Sequence, residues 1–223
     1  VPAVDSTFNE EEKVDRVESK RDNAKLFFDK EDYKSALSLY LECEKTNNLN
    51  VEDYFNIAFC YSYLGNHLNA AKYSNKFLED EPEDLDGLAV LSYSYEKLNR
   101  IKDAIRAQKR LCELSGTKES YVELAWYYIL EKQFVLAYHY INIAQGIYIY
   151  SDKTVAHKVE IKKGHILLLS GFYEEAKQVY LAVRNEVQEK DAVINIVKRD
   201  YEALKKLNVI NPNFEKILAL LRK

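Results

Sequence analysis

Apolar residues along this chain return every three to four positions in paired stretches. That spacing lays a continuous apolar stripe along an α-helix. Five stretches align on one pattern: EDYKSALSLYLEC (31–43), GNHLNAAKYSNKF (65–77), NRIKDAIRAQKRL (99–111), KQFVLAYHYINIA (132–144) and GFYEEAKQVYLAV (171–183). Each has alanine at its sixth place, at Ala36, Ala70, Ala104, Ala137 and Ala176, with separations of 34, 34, 33 and 39 residues. Twelve positions before each alanine stands a second small residue: Ala24, Ala58, Ser92, Ala125 or Gly164. Three positions after that come Phe27, Tyr61, Tyr95, Tyr128 and Leu167. A period near 34 residues that holds two helical patterns predicts an array of helix pairs. The small residues let the helices of a pair approach closely, and the aromatic ones fill the space between pairs. No pair can bury its apolar face alone, so the pairs stack.

Stacked repeats need ends. At the front, Thr7 and Glu10 stand at capping-box spacing, which predicts a first helix starting near Phe8. At the back, Val193, Ile196, Val197 and Leu204 lie at helical spacing and predict a capping helix. A last short helix opens at Pro212 after Asn211 and carries Phe214, Ile217, Leu218 and Leu221 as one stripe. That stripe is expected to pack on the preceding cap. The other readings are a homodimer contact through the C-terminal helix, or a tail that fills its own groove.

The pattern resembles the tetratricopeptide repeat. Gly65 and Gly171 fall at place 15 of that repeat, Tyr33 and Tyr173 at place 17, Tyr40 and Tyr180 at place 24, and Pro82 at place 32. The resemblance covers five repeats, at 17–50, 51–84, 85–117, 118–151 and 157–190. A polar segment (1–16) precedes them and capping helices (191–223) follow. Residues 152–156 read as an insertion. Repeat four departs furthest, with Lys132 where Gly is usual and Phe134 where Tyr is usual. The resemblance implies an all-α, right-handed helical-repeat solenoid.

Composition agrees with helices. Only 6 glycines and 3 prolines punctuate 223 residues, and 47% of the chain is apolar against 30% charged. A net charge of −4 and a pI near 5.7 argue against nucleic acid, which would want a basic face. No apolar run reaches the ~18 residues of a membrane span. The chain starts at Val1 and contains no methionine, so a processed N-terminus is expected. The sequence fits the cytoplasm, or the cell envelope or periplasm if a signal or anchor has been removed. Cys43, Cys60 and Cys112 form no C-x-x-C pair and are odd in number, so buried small-residue roles are expected for them.

Catalytic signatures are missing. The chain has no G-x-G-x-x-G, no phosphate loop, no H-E-x-x-H and no G-x-S-x-G. His67, His139, His157 and His165 form no pair suited to a metal, and LEDEPED (78–84) reads as a solvated loop. No enzyme activity, cofactor or metal is expected.

What remains is binding. The resemblance implies that the first helix of each repeat lines a concave groove through places 2, 5, 9, 12 and 13. Those places hold Phe55, Phe59 and Tyr63 in repeat two, Tyr93 in repeat three, and Val122, Trp126 and Ile129 in repeat four. Repeat five adds Lys158 and His165, while Asn56, Val90 and Lys162 stand at place 6. The family's carboxylate clamp finds only Asn56 as an outright match in repeats one to three. In repeats three to five it finds Lys158, with Lys162 keeping the charge of the usual Arg. No full clamp is present. The expected function is therefore a protein–protein interaction scaffold or adaptor that takes an extended peptide or amphipathic helix of a partner. Its aromatic anchors would include Trp126, the lone tryptophan, which points about 100° away from the structural Ala125. The competing reading packs these rings between neighbouring helices.

Overall fold

A computed structural model describes residues 20–147 and 153–222, so the capping box expected at Thr7 and Glu10 lies outside the described residues. The described residues are helical throughout, with no strand among them. They divide into two compact units, one ending at Arg100 and the other beginning at Ile101.

The first unit holds α1 (20–29), α2 (Tyr33–Glu44), α3 (Val51–Tyr63), α4 (His67–Asp80) and α5 (Leu85–Lys97). Its helices begin where short polar side chains can take an orphan amide. Asp32, Asn50, Asn66 and Asp84 each accept from the backbone N–H three residues on, and Asn50 with Asp53 completes a capping box. Ala24, Ala36, Ala58 and Ala70 are fully buried, as expected of the close-approach places. Tyr40, Ile57, Cys60 and Tyr73 pack around the first three of them.

The second unit holds α6 (Ile101–Ser115), α7 (Lys118–Leu130), α8 (Phe134–Gly146), α9 (Lys153–Leu169), α10 (Tyr173–Glu186), α11 (Lys190–Lys206) and α12 (Asn213–Leu221). Helix α9 takes in residues 153–156, which the repeat spacing assigns to an insertion. Gly164 lets α9 approach α10 closely. A Cβ there would lie 2.9 Å from the Tyr180 ring, a distance that real contacts do not tolerate.

One turn ends the first helix of every repeat. Glu31, Gly65, Asn99, Lys132 and Gly171 all have left-handed φ, at 61°, 80°, 56°, 60° and 93°. At each, two backbone bonds reach back to the helix end, as in Gly65 N–H to Ser62 C=O and Asn66 N–H to Tyr61 C=O. This is the Schellman cap, which satisfies carbonyls that the helix leaves orphaned. Asn208, between α11 and α12, repeats it with φ 55° and bonds to Lys205 and Leu204. The C-terminal pair is thus closed like a repeat. It lacks the small residues that mark one, because Tyr201 and Asn213 stand at the two alanine places. Tyr201 instead stacks on Phe214 with ring centroids 4.7 Å apart.

The stripe of α12 is spent within the fold. Phe214, Ile217, Leu218 and Leu221 are all buried, and the Leu221 carbonyl accepts from Arg184 Nε of α10 at 2.7 Å. The reading of that stripe as a homodimer contact is therefore corrected: its apolar area is already covered by α10 and α11.

All three cysteines are buried and free. Burial pushes the Cys60 thiol up to about 12 and Cys112 to about 11. Since the thiolate is the reacting form, a soluble disulfide reagent at neutral pH is expected to modify the native protein far more slowly than the urea-unfolded chain. Equal rates, followed by absorbance, would contradict this burial.

Candidate partner-binding site

The expected groove residues separate by unit. In the first, Phe59, Ser62 and Tyr63 of α3 face Ala89, Val90 and Tyr93 of α5 across an open depression of about 410 Å³. Tyr63 is 69% exposed and Tyr93 44% exposed, high values for rings of that size. Beneath them lies a fixed aromatic floor. Tyr33 meets Tyr63 at 4.5 Å and Phe59 at 5.3 Å between centroids, and Phe28 packs edge-on to Phe59 at 5.5 Å. Half-buried Phe55 continues the floor from Phe59 to Phe77. At the rim, Lys97 Nζ lies 4.7 Å from the centroid of Tyr93, and His67 meets the same ring edge-on. Asn56 does not join the site. It is buried, and its amide donates to Tyr40 Oη at 3.0 Å, which occupies the group a carboxylate clamp would need.

In the second unit the corresponding side chains are interior. Val122 and Ile129 are buried, and Trp126 is only 5% exposed. The expectation that Trp126 is presented to a partner is therefore corrected. Every residue from Leu124 to Leu130 is buried, as befits a run that carries no charge on any side. Lys162 Nζ sits 3.5 Å from the centre of the Trp126 ring, and His165 lies 6.3 Å from it. Only Lys158 of the expected residues in this unit stays exposed.

Lys162 and His165 belong to a buried polar cluster that sequence reasoning missed. Its centre is Asp200 of α11, whose Oδ2 accepts from Lys162 Nζ at 2.7 Å and His165 Nε2 at 3.1 Å. Arg199 donates to the other oxygen at 3.1 Å. With Nε2 donating to a carboxylate, the neutral imidazole leaves Nδ1 as an acceptor for the Tyr180 hydroxyl beside it. Burial alone would raise the Asp200 carboxyl. The Lys162 charge and the bonds from His165 and Lys162 overcome it and hold Asp200 well below the usual carboxylate range. Burial pushes His165 down, against the pull of Asp200. One sequence signal could have exposed the cluster: Asp200 falls between Val197 and Leu204 on the buried stripe of α11.

The same groups predict a pH response. Both shifts are downward, so the unfolded chain binds these protons more readily than the folded one, and acid weakens the fold. His165 contributes fully above its ordinary 6.5 and loses its share as pH falls below that value. Asp200 does the same below 3.8. Urea midpoints are expected to fall between about pH 7 and about pH 5, and His165→Gln should make that fall shallower, with His67, also pushed down by burial, supplying part of the remainder.

No family model matches this sequence, and no curated protein matches it. Solved structures do. A tetratricopeptide repeat protein from Parabacteroides merdae superposes with a TM-score of 0.68 at 15% identity, covering 92% of this chain and 84% of its own. The fold is the tetratricopeptide repeat. MamA superposes with a TM-score of 0.66 at 18% identity, covering 79% of this chain and 94% of that one. A thermophilic TPR protein of Thermus thermophilus gives 0.56 at 18%, covering 84% and 98%. In TPR numbering the Schellman turns fall at place 15, and the aromatic floor of the first unit is built from places 5, 9, 12 and 17. No helix among the described residues is long and apolar enough to cross a membrane.

Proposed function

We propose that this TPR-fold protein is an interaction scaffold without chemistry of its own, and that it takes an apolar segment of a partner protein in the depression of its first unit. TPR folds serve in general as protein-interaction scaffolds. The observation that carries the reading is the exposure of Tyr63 and Tyr93 above a floor of packed rings. Rigid aromatic side chains with one wet edge lose little entropy on binding and often dominate an interface. Phe55, Phe59 and Val90 would supply the apolar walls. An extended strand or one face of an amphipathic helix fits such an open depression; a deeply enclosed small molecule does not.

The test is titration of fluorescent apolar peptides, helical and extended, against wild type and the Tyr63→Ala/Tyr93→Ala double variant. Loss of both rings is expected to weaken binding at least about ten-fold. Helicity and melting temperature should stay near wild type, because both rings are exposed. Equal affinity of the two proteins for every bound peptide would refute the site.

A further inference from the structure

Charge changes from one end of the first-unit depression to the other. Asp86, Val90, Tyr93 and Lys97 stand at i, i+4, i+7 and i+11 of α5 and share one face, whose Val90 and Tyr93 line the depression. At the Tyr93 end the charges are matched. Lys97 Nζ lies 3.1 Å from Glu96 Oε2, and His67, pushed down by burial and by Lys97, is neutral at pH 7. On the α3 side, Lys25 pairs with Glu52 at 3.0 Å. The Asp86 end is different. Asp86 is exposed and makes no ion pair among the described residues. It continues the acidic turn ahead of α5, where Glu79, Asp80, Glu81 and Glu83 are exposed as well. Between Lys76 and Lys97 the chain has seven acids and no Lys, Arg or His. The matching turn before α3, residues 45–50, has one Lys and no acid. The N-terminus of α5 offsets this excess by only about half a positive charge.

We propose that the occupant of this depression is a cationic amphipathic segment of a partner protein, with its apolar side on Tyr63, Val90 and Tyr93 and its Lys or Arg side chains toward Asp86. The inference rests on the reading of the depression as the binding site and adds the charge of what fills it. Asp86 lies one helical turn, about 6 Å, from Val90, within the span of a Lys or Arg stem laid along the apolar wall. Acids facing that end would be repelled, whereas opposite charge steers a partner in and rejects wrong ones. The chain's own residues 1–19 do not suit the place, since they carry six acids against two bases. A terminal carboxylate fares no better. It would meet Asp86 and find the Asn56 amide already engaged by Tyr40.

Three fluorescent helical peptides, sharing one apolar face and carrying Lys, Gln or Glu at the flanking positions, test this by titration. Wild type is expected to bind the Lys peptide at least about ten-fold tighter than the Glu peptide at low salt. Raising salt to about 0.5 M should shrink that ratio and leave the Gln peptide nearly unaffected. Asp86→Lys, an exposed change, should cut the ratio at least about five-fold while Gln-peptide affinity and helicity stay at wild-type values. Equal binding of the Lys and Glu peptides, or a preference that Asp86→Lys leaves intact, would overturn the charge assignment while the aromatic site stands. A preference that persists in Tyr63→Ala/Tyr93→Ala would put the cation contact outside the depression and overturn it too. If no peptide binds wild type, the reading of the depression falls and this inference falls with it. A second copy is the other occupant to test, since α6 carries Lys102, Arg106, Lys109 and Arg110. Sedimentation of wild type above 26.1 kDa, reversed by Asp86→Lys, would give the site to that copy and overturn the proposal.

Discussion

Replacing Asp200 with alanine is expected to destabilise the second unit by about 3–5 kcal/mol, among the largest effects of any single substitution in this chain. The loss does not come from the strength of the ion pair itself. Lys162 and His165 would keep their buried places and lose the anion that both donate to. An uncompensated cation in a low-dielectric interior is the costly species. Asp200→Leu combined with Lys162→Met removes both charges and should recover most of the stability. Urea denaturation of the three proteins measures this. If the double variant proves no more stable than Asp200→Ala, the desolvation argument fails. If Asp200→Ala proves neutral, the cluster is not closed to water.

Trp126→Ala is expected to act on folding and not on partner binding. Removing a buried indole leaves a cavity and strips Lys162 of the ring face above which its ammonium sits. Large-to-small truncations of this kind cost about 3–5 kcal/mol. Trp126→Phe retains a ring and should cost markedly less. Melting curves followed by far-ultraviolet dichroism would check the order. A Trp126→Ala protein that melts with wild type but loses partner affinity would restore the indole to a binding surface.

The helix pairs were legible in the sequence because their packing depends on two small residues at a fixed distance. Ala24 with Ala36, and Ala125 with Ala137, leave no freedom in how their helices meet. The C-terminal pair was legible as a capping helix with a short helix packed on it, but not as a repeat, since Tyr201 and Asn213 occupy those places and aromatic stacking on Phe214 replaces close approach. The first-unit depression was readable from Phe59, Tyr63, Val90 and Tyr93, whose neighbours α3 and α5 present them as the repeat register implies. Trp126 stands at the same place as Phe59 and Tyr93, and register alone could not separate them. The difference lies in surroundings. The α7 run from Leu124 to Leu130 has no charged residue, and a buried Lys162 covers the indole. Asn56 and Lys162 looked like parts of an anion site. Tyr40 and Asp200, distant in sequence, had already taken their hydrogen bonds.

The turn at place 15 holds one further lesson, about how such a chain can change over time. Glutamate, glycine, asparagine and lysine all adopt the same left-handed conformation there. A non-glycine residue in that region gives up about 1 kcal/mol, a modest strain that the flanking helices absorb. The instruction for the bend therefore resides in the helices on either side and not in the residue that bends. Such a position is free to drift, and so are the others whose geometry is imposed by their neighbours. Lineages built this way shed their sequence signature long before they shed their architecture.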